Sequence, residues 1–95
     1  MENEKYWNKL LAIYHKFNDD GSLAKSVEWQ MSMGIQPPKN HPSYLKWKRN
    51  AFLMALQKVL SRMECVHFVY GKPFEPIDVW IDGEIPPKTV EKKND

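Results

Sequence analysis

Pro37, Pro38 and Pro42 fall within six residues, in Gln36-Pro-Pro-Lys-Asn-His-Pro42, and no helix or central strand can run through them. Each proline removes a backbone donor and fixes φ, and the residue before it is pushed toward extended conformations. The chain must therefore build its regular elements on either side of a stiff connector.

Before the connector, Trp7, Leu10, Leu11, Tyr14 and Phe17 recur at three- and four-residue spacing, which predicts a helix from Asn3 to Phe17. Asn18-Asp-Asp-Gly21 stops it. Ser22 is then placed to cap a second helix carrying Leu23, Val27 and Met31 on one face, with Gly34 at its end.

After the connector, Ser43 opens the longest helix, expected to continue at least to Met63. Val66–Tyr70 is β-branched and aromatic, and Ile77–Asp82 alternates strictly, so the two pair as an antiparallel hairpin across Gly71–Pro76. Gly71 and Pro73 also suit a helix stop, which leaves helix as the alternative for Val66–Tyr70. The expected fold is mainly α, with about three helices, the third long and central, and a short C-terminal antiparallel β-hairpin or extended segment; α+β is the alternative description. Ninety-five residues supply one hydrophobic core, so residues 1–90 form a single compact domain and 91–95 a disordered tail.

The long helix poses the functional question. On a helical wheel Leu45, Phe52, Leu56, Val59 and Met63 share a narrow arc, with Ala55 and Leu60 at its margins, and this is the expected core face. Tyr44, Trp47, Ala51 and Met54 form a second seam, continued by Lys58 and Arg62. Burial at the centre of the domain accounts for such a seam, and so does a docking surface, because Trp, Tyr and Met anchor interfaces while flanking cations form a rim. The candidate partner-binding residues are Tyr44, Trp47, Met54, Lys58 and Arg62, with Lys46 on the rim and Trp80 as an extension. Paired across a two-fold axis, the same seam would make a homodimer.

Charge is segregated. Trp29–Met63 carries six basic residues and no acid, within a chain of net charge +2, so a protein partner with an acidic surface is expected. The alternative is nucleic acid, with Lys46, Lys48, Arg49, Lys58 and Arg62 on phosphates. Against it, those cations spread around the helix, only two of them are arginine, and the proline connector is too long for a helix-turn-helix.

No pattern supplies catalysis. His15, His41 and His67 lack a second ligand at metal spacing, and Cys65 with His67 lacks an orienting third group. Asp78, Asp82 and Glu84 serve better as solubilising charges than as a carboxylate set, and no glycine loop cradles phosphate. No cofactor and no metal is expected. One cysteine, a polar start and no long apolar run predict a soluble cytoplasmic protein away from membranes. The expectation is a small non-enzymatic protein, an inhibitor or accessory factor, that occupies a surface of a larger protein; twelve lysines against two arginines suggest a low-GC bacterial or phage gene.

Overall fold

A computed structural model of the chain describes residues 4–34, 36–72 and 74–87. Three helices, α1 (Glu4–Phe17), α2 (Ser22–Ser32) and α3 (Tyr44–Leu60), are followed by β1 (Val66–Tyr70) and β2 (Pro76–Ile81). The strands pair antiparallel, Val66 opposite Ile81 and Phe68 opposite Val79, with a bulge between Val69 and Tyr70. The mainly α architecture with a C-terminal hairpin follows the sequence pattern; the segment 91–95 lies outside the described residues.

The core joins all five elements. Tyr6, Leu10 and Ile13 of α1 meet Leu23 and Val27 of α2, Ala55, Leu56, Val59 and Leu60 of α3, and Val66, Val79 and Ile81 of the hairpin. Neither α2 nor the isolated hairpin is long enough to be stable alone, so both depend on this shared burial.

Local details depart from the sequence reading. Ser22 is the first residue of α2 and not its cap: Asp20 Oδ1 accepts from the Ser22 N–H at 3.0 Å, and Asn18 Oδ1 accepts from the Ala24 N–H at 3.0 Å. Two earlier side chains thus take up orphan donors of the first turn, and Gly21 at φ 80° makes the bend. At α3, Ser43 is the N-cap residue, in keeping with its expected place at the opening of the helix; it makes no side-chain cap bond, and His41 Nδ1 accepts from its N–H at 3.0 Å. The helix ends at Leu60, three residues before Met63, because Arg62 and Met63 turn back to the carbonyls of Val59 and Leu60.

The core face of α3 is the predicted arc, widened on one side: Leu56 and Val59 are buried, as are Ala55 and Leu60 at its margins. Leu45 is 78% exposed and Phe52 and Met63 are half-buried, whereas Leu53, outside that arc, is buried. Leu45 points the same way as Leu56 but lies in the first turn of α3, while the Tyr6 hydroxyl of α1 donates to Gln57 Oε1 at 2.6 Å and so closes over the side of the helix that carries Leu53.

Candidate partner-binding groove

Because α1, α2 and the hairpin all pack toward one side of α3, the opposite side of that helix stays open. Ala51, Met54, Lys58 and Ser61 line it, with Gln30, Met31 and Gly34 at the C-terminal end of α2 on one flank and Phe68, Tyr70 and Pro76 of the hairpin on the other. They bound a groove of about 450 Å³, within the size range of ligand-binding clefts. Met54 and Tyr70 are each more than half exposed, 55% and 56%.

The polar groups around the groove are mostly engaged. Gln57 accepts from Tyr6, Gln30 Oε1 accepts from Arg62 Nη2 at 3.1 Å, and the Ser61 hydroxyl donates to the Lys58 carbonyl at 2.7 Å. Lys58 is different: among the described residues no carboxylate lies within ion-pair distance of it. Among the described residues no acidic side chain lines the groove. Beyond Arg62 a second acid-free hollow is lined by Lys25, Ser26, Trp29, Val59 and Arg62, with Trp29 60% exposed. An apolar groove lined by Lys58, with Lys25 and Arg62 lining a neighbouring hollow, attracts a ligand bearing both apolar side chains and carboxylates.

The structure separates the residues that the sequence grouped. Met54 and Lys58 line the groove, and Arg62 lines the neighbouring hollow. Tyr44 and Trp47 lie nearer the start of α3, half-buried and 5.7 Å apart between ring centroids. Trp80 is on the other face of the hairpin, its ring 4.4 Å from that of His67. Of the cations considered for phosphate, Lys46, Lys48 and Arg49 are exposed away from the groove; Arg49 lies 3.8 Å from Glu4, and Lys48 and Arg49 share a hollow with Glu28. Phe68, Tyr70, Met31 and Trp29 escaped sequence reasoning. Tyr70 and Phe68 carried a usable signal, since every second residue of β1 faces one way, but what they face comes from α2 and α3.

Three carboxylates of the hairpin region have separate partners. Asp78 holds Lys9 at 2.5 Å and the Val79 N–H at 2.8 Å, Asp82 faces His67 Nε2 at 2.6 Å, and Glu84 accepts from the Ile81 N–H at 3.1 Å. Among the described residues no three His, Cys, Asp or Glu side chains are grouped to hold a metal. Burial pushes the Tyr6 phenol far above its ordinary range, with Tyr70 and Asp78 adding to the shift, while hydrogen bonds from Ser22 hold the Asp20 carboxyl below its own. No helix among the described residues is long and apolar enough to cross a membrane. Comparison with protein-family models, with curated proteins and with solved structures finds no match for this chain.

Proposed function

We propose that this is a small, non-enzymatic, cytoplasmic binding domain that occupies an acidic surface of a larger protein, as an inhibitor or accessory factor does. The observation that carries this reading is the groove over α3, with Met54 and Tyr70 exposed at it and, among the described residues, no acidic side chain in its lining and no carboxylate within ion-pair distance of Lys58. Exposed Met and Tyr beside cations supply the anchors and rim of a protein interface. The cations assigned to phosphate in the alternative reading point in several directions, which favours a protein over a nucleic acid track.

Photo-cross-linking tests this. A benzophenone amino acid replaces Met54 in one variant and exposed Lys5 in another, and each is irradiated in extract of the native host. A partner adduct at position 54, lost when Lys58→Glu is added and weak at position 5, is the expected result. Equal adducts at both positions, or adducts only with nucleic acid, would refute it.

A further inference from the structure

The two edges of the hairpin differ in a way that bears on how a partner is held. The Asp82 N–H donates to the Cys65 carbonyl at 3.0 Å, which makes Cys65 and Asp82 a hydrogen-bonded pair and fixes the alternation along both strands. Val79 and Ile81 then direct their N–H groups away from β1, and Val66, Phe68 and Tyr70 direct theirs away from β2.

On the β2 edge both outward donors are satisfied within the chain. Asp78 Oδ1 takes the Val79 N–H and Glu84 Oε1 takes the Ile81 N–H. Pro76, at the start of the same strand, has no N–H to offer. That edge is closed by carboxylates and proline, the devices that keep strands from pairing further.

On the β1 edge only Val66 is provided for, its N–H donating to the Met63 carbonyl at 3.2 Å. Among the described residues nothing bonds to the outward backbone groups of Phe68 and Tyr70. Their side chains line the groove. An open strand edge and an apolar trough thus run side by side, the arrangement used to bind an extended peptide as an added strand.

We propose that the partner of this domain is bound through an extended segment that pairs with β1 at Phe68 and Tyr70, drops alternate apolar side chains toward Met54 and Ala51, and sets carboxylates beside Lys58. This rests on the groove reading above and specifies the form of the ligand. A second copy of the chain is a poorer occupant, because residues 65–72 carry no acid to meet Lys58. A helical ligand would leave the two donors and two acceptors of the edge without use.

Synthetic eight-residue peptides decide it, three of them one sequence with different backbone methylation. One alternates glutamate with valine and phenylalanine; the other two are the same peptide with N-methyl groups on every glutamate or on every apolar residue. A fourth peptide of identical composition carries its apolar residues at helical spacing. Binding is followed by amide and methyl NMR shifts of the isotope-labelled protein.

The alternating peptide is expected to shift the Phe68 and Tyr70 amides and the Met54 methyl, and one N-methyl pattern to weaken it about tenfold while the other leaves it intact. Only a paired strand reads alternate nitrogens. Tyr70→Pro, which removes one outward donor and no ladder bond, is expected to bind more weakly than Tyr70→Ala, with both variants folded by circular dichroism. If the helically spaced peptide shifts the groove more strongly, or the two N-methyl patterns behave alike, strand addition is wrong while the groove survives. No shift by any peptide at millimolar concentration also overturns strand addition, and the cross-linking result then stands or falls separately.

Discussion

Tyr6→Phe tests how α1 is fastened to α3. Tyr6 is 2% exposed and its hydroxyl donates to Gln57 Oε1 at 2.6 Å, across 51 residues of chain. The substitution keeps the ring and its packing but strands an amide oxygen that is half-buried. Losing one such bond and leaving its acceptor unmet costs about 1–2 kcal/mol, and in a domain of this size each kcal/mol is worth roughly 4–8 °C in Tm.

The same hydroxyl gives a pH signature. Burial raises the folded-state pKa of Tyr6 well above its ordinary 10.0, so the neutral phenol stabilises the fold fully below that value. As pH rises past it the unfolded chain releases the proton first, and the wild type loses about 1.4 kcal/mol per pH unit relative to Tyr6→Phe. Urea denaturation followed by circular dichroism, at pH 7 and at steps from 9 to 11, reads both effects. Gln57→Leu added to Tyr6→Phe should recover most of the loss at pH 7, because two apolar partners leave nothing unsatisfied. A neutral Tyr6→Phe, or parallel alkaline limbs in the two proteins, would refute the reasoning.

Leu56→Ala, at a fully buried position touched by the shared core, is expected to cost about 3–5 kcal/mol in the same assay. Gly83 has φ 95° with nothing within 4 Å of an added Cβ, so Gly83→Ala should cost about 1 kcal/mol through backbone strain alone, visible as a shift in the urea midpoint without a change in slope. Asp20 accepts two hydrogen bonds from Ser22 that hold its pKa below the ordinary 3.8; its contribution is present above that pH and lost as the solution is acidified further. Asp20→Asn should accordingly flatten the acid limb of stability. Met54→Glu and Lys58→Glu, both at exposed positions, should each leave stability within about 0.5 kcal/mol of wild type by thermal melting.

The elements were legible because their signals are local. The three- and four-residue spacing of Trp7, Leu10, Leu11, Tyr14 and Phe17 needed only α1 to be seen, and the alternation from Ile77 to Ile81 needed only β2. The arc of Leu56 and Val59 was legible on the wheel of α3, but the burial of Leu53 and the exposure of Leu45 were not, since they depend on where α1 lies and where along the helix the core begins. The cap of α2 was misplaced for a local reason: Ser22 is already helical, and Asp20 and Asn18 in the preceding turn accept from the first-turn donors. The groove has residues from α2, α3 and the hairpin, separated by as many as 46 positions between Gln30 and Pro76. Only its Met54 and Lys58 side could be read from one helix.

The account places the partner over Met54 and Lys58, and away from the half-buried Tyr44 and Trp47 pair, a distinction that one affinity comparison resolves. With the partner in hand, its Kd is measured for the wild type, Met54→Glu and Trp47→Ala, all checked for folding. The groove account predicts at least a tenfold loss for Met54→Glu, on the order of 1.4 kcal/mol, and a change of less than about twofold for Trp47→Ala. A large loss for Trp47→Ala with Met54→Glu binding like the wild type would contradict it and move the interface to the start of α3.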